Sequence, residues 1–380
     1  MAISRRKFMI GAAAISQMIS GKLMAEEDFD AILGAQKDSL MDDSIFNNRI
    51  LVRNESNQPP SVNGLKKLDS IKKYAGFYSG QTYAQTVLRH ELKKKYKLGN
   101  NIEVYLYPGA RQGISQIVSN KMFKNIVVSD PDYQEAKLSG YLYNKKVILV
   151  KTTRAKVDLN GLDKKLKSLK KALVYFSNPQ LPFGTHLNKL DILNMVKRNK
   201  DNYFLIDEAY IHFLGDDYLE KSLIKHLNEH PNLMVIQTFS KAYCAAGLRC
   251  GVLFLDNKLF KKLMPDENLF NPHISLFSLA YCTGALLDEE YLKLVIQNNF
   301  KIKEYFLEKM KKFTDFKVID SYTNFGTIIL DKRYDSDLVE KIFYPYLINY
   351  SKNGYIRVSF KSMKSIDVFC DRLTNLIKVS

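Results

Sequence analysis

The chain has 380 residues, of which 46% are hydrophobic and 26% are charged, and this composition fits a globular enzyme with two lobes rather than a disordered chain. Its formal net charge is +17 at pH 7, but the lysines are spread over predicted helices and no nucleic-acid-binding motif accompanies them, so we expect no nucleic-acid partner. Four cysteines without a CxxC spacing indicate neither a disulfide framework nor a zinc site, and we expect no other metal site.

Residues 1–25 form a segment of their own. Arg5 and Arg6 precede a modestly apolar run over residues 8–20, and this arrangement resembles a twin-arginine export signal. The run is too short for an ordinary membrane span. We therefore expect a folded protein exported to the periplasm, with the signal either cleaved near Met24 or retained as a tether. The alternative is a basic N-terminus on a cytoplasmic protein.

The rest of the chain is predicted to form an arm over residues 26–70, a large domain over residues 71–261 and a smaller α+β domain over residues 262–380. After an amphipathic helix predicted at 83–97, apolar strands and helices alternate, which is typical of an α/β fold with a mostly parallel sheet. Strands of the large domain are predicted at 102–107, 125–129, 146–151, 172–177, 203–207 and 233–238. Helices of the small domain are predicted at 276–296, 305–313 and 366–377.

Polar residues follow several of the predicted strands. In an open α/β sheet, ligands bind beyond the carboxyl ends of the strands. Lys241 follows one strand, and a buried lysine has a lowered pKa that makes it a nucleophile towards carbonyls. Asp207 ends another strand, where a buried carboxylate requires a partner. The turn at 108–112 opens a helix, and its small residues let backbone amides approach an anion.

These segments together resemble the fold type I aminotransferases that depend on pyridoxal 5'-phosphate (PLP), and they are most similar to the histidinol-phosphate aminotransferase family. The resemblance covers about residues 50–380 and rests on Asn178-Pro-Gln-Leu-Pro-Phe-Gly-Thr185, Asp207-Glu-Ala-Tyr210, Thr238-Phe-Ser-Lys241 and Gly247-Leu-Arg249. It implies a PLP-binding large domain and a smaller C-terminal domain. It also implies the transfer of an amino group between an amino acid, or a histidinol-phosphate-like amine, and a 2-oxo acid.

The resemblance implies a role for each matching residue. Lys241 would hold PLP as an aldimine and move the substrate proton, Asp207 would pair with the pyridine nitrogen, and Tyr210 would hydrogen-bond the phenolic oxygen, so these three are the expected catalytic residues. Asn178 would also donate to the phenolic oxygen, and Tyr133 would stack on the ring. The expected phosphate-binding residues are Gly109, Ala110, Arg111, Gln112, Thr238, Ser240 and Arg249, together with Tyr78 from the neighbouring subunit of a homodimer.

The substrate half of the resemblance is less complete. Asn54 matches a segment near the substrate, and Arg357 would bind a carboxylate or a phosphate. A second arginine of the family is missing from residues 344–352. We therefore expect ordinary amino acids to compete well with histidinol phosphate.

Two alternatives are compatible with these residues. A PLP-dependent decarboxylase, lyase or racemase on the same fold would use the same cofactor residues. A non-catalytic exported binding protein on the same scaffold belongs to a different class of function, although it would have no need to keep the cofactor residues together. An absorbance spectrum and an amino-donor screen on the purified protein would separate these possibilities.

Overall fold

The structure is a computed structural model, and it describes residues 51–379 except residues 57, 266–272, 332, 345, 347, 352 and 353. The twin-arginine pattern and most of the predicted arm lie outside the described residues. Within the described part of the chain, no helix is both long enough and apolar enough to cross a membrane.

The described chain begins with two helices that precede the first sheet. Helix α1 (Val62–Ser70) lies inside the predicted arm, and the Ser61 side chain caps it by accepting from the Gly64 N–H at 3.0 Å. Helix α2 (Tyr78–Tyr96) begins five residues before the predicted start, because the extended backbone ends at Phe77. It ends where Lys97 takes a left-handed conformation, with φ 53°.

Seven strands form the large sheet, in the order β1-β7-β6-β5-β4-β2-β3. All neighbouring strands are parallel except β7, which runs antiparallel to both β1 and β6. The predicted α/β class with a mostly parallel sheet is therefore confirmed. The strands are β1 (Ile102–Tyr107), β2 (Asn125–Asp130), β3 (Lys146–Lys151), β4 (Leu173–Ser177), β5 (Tyr203–Asp207), β6 (Leu233–Thr238) and β7 (Gly251–Asp256).

Helices cover both faces of the large sheet, because successive residues of its buried strands point to opposite sides. On β4, Val174 and Phe176 belong to the apolar cluster of one face, while Leu173 and Tyr175 belong to that of the other. The helices that follow α2 are α3 (Ala110–Ser119), α4 (Glu135–Leu142), α5 (Leu159–Leu166), α6 (Lys189–Arg198), the single-turn α7 (Tyr218–Lys221), α8 (Asn257–Leu263) and α9 (Leu276–Leu286). Helices α2, α5, α6 and α9 contribute to the first cluster, and α3, α4 and α8 contribute to the second.

A second, antiparallel sheet lies in the C-terminal part of the chain. Its strand order is β10-β11-β9-β8, and three helices share its apolar core. The predicted helices at 276–296 and 305–313 were wrong in their division, because the chain breaks at Asp288, whose side chain caps the next helix. These elements are α10 (Glu289–Met310), β8 (Lys317–Ile319), β9 (Phe325–Ile329), α11 (Ser336–Phe343), β10 (Asn349–Ser351), β11 (Tyr355–Ser359) and α12 (Met363–Val379).

Candidate active site

The candidate site lies where the carboxyl ends of β4, β5 and β6 meet. Asp207 ends β5, and it is paired in register with Ser177 of β4 and Ile236 of β6. The backbone continues this pairing past the strands, since the Asn178 N–H donates to the Asp207 carbonyl at 2.9 Å. This is the edge at which an open α/β sheet binds ligands.

Asp207 is a buried carboxylate with both oxygens held. Its side chain is only 4% exposed. Oδ1 accepts from the Ala209 N–H at 2.9 Å, and Oδ2 accepts from the Tyr175 hydroxyl at 3.0 Å. Burial raises the pKa of Asp207 to about 6, whereas the bonds from Tyr175 and Ala209 and the charge of Lys241 oppose that rise. A cation placed against this carboxylate would be strongly favoured.

Lys241 projects from the loop that follows β6. Its Nζ donates to the carbonyl of Arg53 at 2.6 Å and lies 5.7 Å from the centroid of the Tyr210 ring. Burial, followed by the charge of Arg357, lowers the pKa of Lys241 to about 8, while Glu55 acts in the opposite direction. With that pKa, about a tenth of the amine is neutral and nucleophilic at pH 7.

Tyr210 is tied to the segment that precedes α1. Asn54 donates from Nδ2 to the Tyr210 hydroxyl at 2.7 Å, and Asn324 donates to the Asn54 carbonyl at 2.8 Å. The Asn54 N–H in turn donates to the Ser359 hydroxyl at 2.9 Å. Burial is the main reason that the pKa of Tyr210 rises to about 12. The structure therefore brings Asn54, which the sequence placed near the substrate, into direct contact with a predicted catalytic residue.

Arg357 reaches the site from β11 of the small sheet. Its guanidinium lies over the Phe325 ring, 5.2 Å from the centroid, and Phe325 packs edge-on against Tyr210. Burial lowers the pKa of Arg357, while Tyr210 and Tyr355 oppose that shift. Among the described residues, Nε of Arg357 is buried and has no hydrogen-bond partner. A buried guanidinium with an unused donor is suited to an anionic group of a ligand.

A cradle for a second anion lies at the N-terminus of α3. Gly109 precedes the helix with φ 84°, and a Cβ built there would lie 2.3 Å from Nη2 of Arg249. The glycine therefore lets the Arg249 guanidinium lie directly against the turn. Nη1 of Arg249 donates to the Ala246 carbonyl at 2.8 Å and lies 3.5 Å from the Ser240 hydroxyl.

The other predicted phosphate-binding residues surround this cradle in different ways. Ala110, Arg111 and Gln112 form the first turn of α3, where N–H groups lack a carbonyl four residues earlier in the helix, although the Gln112 N–H donates to the Gly109 carbonyl at 3.2 Å. The Arg111 side chain points to an ion pair with Glu135, with Nε 2.5 Å from Oε2. Thr238 accepts from the Ser240 N–H at 3.1 Å and so shapes the loop that carries Lys241.

Three predicted residues have other surroundings. Tyr133 lies close enough to Asp207 and Arg249 to interact with both charges, and burial raises its pKa to about 12. The Asn178 side chain contacts the Leu187 backbone, accepting from the Leu187 N–H at 2.8 Å. Tyr78, at the start of α2, is 91% exposed and contacts no other predicted site residue in the hydrogen bonds of the described chain.

The sequence did not single out Tyr175, although its hydroxyl holds Asp207. A tyrosine inside an apolar strand is usually a core residue. The signal that could have found it is spacing. Tyr175 lies two residues before Ser177 on β4, so these two side chains point to the same face of the sheet. Ser177 is the register partner of Asp207, and the Tyr175 and Asp207 side chains therefore share that face.

Comparison with known proteins identifies the family. The chain matches the family described as "Aminotransferase class I and II" over residues 53–373. The histidinol-phosphate aminotransferase of Clostridium beijerinckii is 27% identical over 335 residues, which cover 84% of this chain and 88% of that protein.

Solved structures share the fold. The histidinol-phosphate aminotransferase of Clostridium acetobutylicum has a TM-score of 0.78 at 20% identity, covering 87% of this chain and 100% of that one. The histidinol-phosphate aminotransferase of Sinorhizobium meliloti, in complex with pyridoxal-5'-phosphate, also has a TM-score of 0.78 at 20% identity, covering 95% of this chain and 96% of that one. Since the family match extends over most of the 380 residues, the chain belongs to the class I and II aminotransferases.

Proposed function

We propose that this aminotransferase binds PLP between Lys241 and Asp207 and moves an amino group between an amino acid and a 2-oxo acid. The observation that carries the proposal is the placement of a buried carboxylate at the end of β5 and of a lysine in the loop after the adjacent strand β6, where burial raises the pKa of the carboxylate and lowers that of the lysine. Both shifts are typical of functional sites rather than of solvated surface charges.

The residues of the site fit PLP on three separate features. The cradle at Gly109 and Arg249 suits the phosphate, because it combines a helix N-terminus with a guanidinium. The buried Asp207 suits the protonated pyridine nitrogen, which is a cation. The Lys241 amine suits the aldehyde, since a neutral amine is a nucleophile towards carbonyls. When bound, PLP supplies an electron sink for cleavage of the bond between the amine-bearing carbon and its hydrogen.

The protein's own groups have distinct tasks. Lys241 Nζ, once it leaves the Arg53 carbonyl, is the group that accepts and returns the proton at the reacting carbon. The Asp207 carboxylate would lie against the pyridine nitrogen of PLP and would favour the protonated form of that nitrogen. Tyr210, whose hydroxyl accepts a hydrogen bond from Asn54, would donate its own O–H to the phenolic oxygen of PLP.

Arg357 defines the substrate class. One guanidinium can clamp one carboxylate through two hydrogen bonds, whereas a dianionic phosphate is better served by more than one cation. The expected second arginine is absent from residues 344–352. The names of the relatives point to histidinol phosphate, but this site is better matched to the carboxylate of an ordinary amino acid. Histidinol phosphate is then one substrate among several, used at modest efficiency.

A homodimer would complete the site through Tyr78. Phe77, Tyr78 and Tyr83 are large side chains that are 61%, 91% and 73% exposed. Phe77 and Tyr83 line a mostly apolar cleft of about 720 Å³ between α2 and α9, and Tyr78 lines a second cleft that shares Phe77 with it. Apolar surface of this kind marks interaction sites in soluble proteins. A second copy of the chain would cover it and bring its own Tyr78 to the neighbouring phosphate cradle.

Export by the twin-arginine route is the remaining part of the proposal. It is supported by Arg5 and Arg6 ahead of the apolar run, which lie outside the described residues. The route carries folded proteins, and it therefore suits an enzyme that acquires its cofactor in the cytoplasm. A periplasmic enzyme, either free or tethered by its signal, would result.

A screen of amino donors on the purified protein tests the proposed activity. The protein is incubated with PLP, with 2-oxoglutarate or pyruvate as acceptor, and with single amino acids or histidinol phosphate as donor. Formation of the donor's oxo product in amounts equal to the aminated acceptor is the expected result. Release of carbon dioxide, or racemisation without an acceptor, would instead assign the site to another PLP reaction.

A further inference from the structure

We propose that Tyr175 is a positioning residue for Asp207, and that its hydroxyl holds the carboxylate in the orientation and the charge state that the pyridine nitrogen of PLP requires. The inference rests on the proposed role of Asp207. It concerns a residue inside the sheet that has no direct part in the phosphate, amine or substrate contacts described above.

Each oxygen of the Asp207 carboxylate accepts a hydrogen bond. Tyr175 is fully buried on β4, and its hydroxyl donates to Oδ2 of Asp207 at 3.0 Å. Because the Ala209 N–H occupies Oδ1 at 2.9 Å, the carboxyl plane cannot turn without losing a hydrogen bond. Each carboxylate oxygen has a further lone pair, so both bonds can persist while a cationic N–H binds Asp207.

The electrostatics favour the same role. Burial alone would keep Asp207 protonated to a higher pH, and the Tyr175 bond is the largest of the influences that lower its pKa. The pKa of Tyr175 itself lies well above its ordinary range because of burial, so its hydroxyl stays protonated and acts as a donor. Among the described residues, the titratable groups that interact electrostatically with Asp207 are Tyr175 on β4, Asp132 and Tyr133 after β2, Glu208 and Tyr210 after β5, and Lys241 after β6.

A purely structural role for Tyr175 makes different predictions. Its ring belongs to the apolar cluster on the α3 side of the sheet, and Tyr175→Phe keeps that ring while removing only the hydroxyl. If the hydroxyl served packing alone, its loss would weaken folding without regard to Asp207. If the hydroxyl acts through Asp207, the effect of removing it must depend on whether position 207 carries a titrating carboxylate.

The first measurement is a double-mutant cycle on PLP binding to the apoprotein. Wild type, Tyr175→Phe, Asp207→Asn and the double variant are titrated with PLP, and free and bound cofactor are separated by equilibrium dialysis. Tyr175→Phe should weaken PLP binding about tenfold when Asp207 is present, the scale of one hydrogen bond to a charged group. In the Asp207→Asn background the same change should have little further effect.

The second measurement is the pH dependence of apoprotein stability, which needs no cofactor. In the native state Asp207 has a raised pKa, so its contribution to stability is present below about pH 4 and is lost as the pH rises through about 6. Tyr175→Phe raises that pKa further. The loss of stability caused by Tyr175→Phe should therefore be greater at pH 8 than at pH 4, and this difference should vanish in Asp207→Asn.

Tyr105→Phe is the matched control. Tyr105 is 2% exposed, lies in the same apolar cluster and packs against Tyr107 and Phe260 rather than at the site. The Tyr105→Phe variant should bind PLP with the affinity of the wild type. If Tyr175→Phe weakens PLP binding equally with Asp207 and with Asn at position 207, or does not weaken it at all, the inference is overturned. If Asp207→Asn itself binds PLP as tightly as wild type, the proposed role of Asp207 fails, and with it the basis of the inference.

Discussion

The Gly109→Ala substitution probes the phosphate cradle at its tightest point. Gly109 has φ 84° and ψ 150°, a backbone conformation that is close to glycine-only and that costs other residues about 1–3 kcal/mol. The added methyl would also lie 2.3 Å from Nη2 of Arg249, so the guanidinium must withdraw by about 1.2–1.7 Å to reach an ordinary contact of about 3.5–4.0 Å. We therefore expect Gly109→Ala to lower the free energy of unfolding by about 1–3 kcal/mol.

PLP binding should weaken separately, because Arg249 leaves the position from which it would reach the phosphate. A hydrogen bond to a charged group contributes about 1.5–3 kcal/mol, which corresponds to an increase of about tenfold to a hundredfold in the dissociation constant of PLP. The chain contains no tryptophan, so binding is best followed by equilibrium dialysis and the absorbance of PLP itself. Unfolding is measured on the apoprotein with denaturant, which keeps the two effects apart.

Gly247→Ala is the control for a glycine near the same arginine. Apart from Gly247 itself and its two chain neighbours, no heavy atom lies within 4 Å of a Cβ built at this position, two residues before Arg249, and PLP affinity should be unchanged. In an Arg249→Ala background, Gly109→Ala should weaken PLP binding little further, since the displaced group is already gone. Wild-type affinity in Gly109→Ala, or a full additional loss in the double variant, would refute the reasoning.

Five further outcomes are expected. In the wild type, borohydride should fix PLP covalently to Lys241, and Lys241→Ala should lose this fixed cofactor; a mass spectrum that shows fixation at another lysine of the variant would contradict the assignment. In the wild type, attachment of PLP should become faster as the pH rises towards the Lys241 pKa of about 8, because the amine becomes neutral. Arg357→Lys should keep the charge but lose the planar fork, and so raise KM for carboxylate substrates; unchanged kinetics together with a strong preference for histidinol phosphate would count against the substrate proposal. Light scattering should give the mass of a dimer, and a stable, active monomer would rule out the role of Tyr78. Changing Arg5 and Arg6 to lysine should trap the protein with its cofactor in the cytoplasm, whereas undiminished recovery from the periplasm would remove the export proposal.

The sequence by itself determined the fold class and the residues at the strand ends. Short apolar runs separated by helices predict a mostly parallel sheet because the periods of strands and helices are local properties of the chain. Asp207 and Lys241 stand out for the same reason, since Asp207 ends one apolar strand, Lys241 lies in the loop after another, and each carries a charge that burial would penalise. The family match confirms the aminotransferase interpretation that these motifs supported.

Only the tertiary structure decided which distant groups meet. Asn54 and Tyr210 are 156 residues apart, yet one donates to the other at 2.7 Å, and Tyr175 reaches Asp207 only because β4 and β5 pair in a particular register. The antiparallel direction of β7 and the break between α9 and α10 could not be predicted from the sequence either, because both depend on packing and capping rather than on apolar spacing. Side-chain contacts across strands depend on register and strand order, and these are set by the burial of the whole core, which no single stretch of sequence encodes.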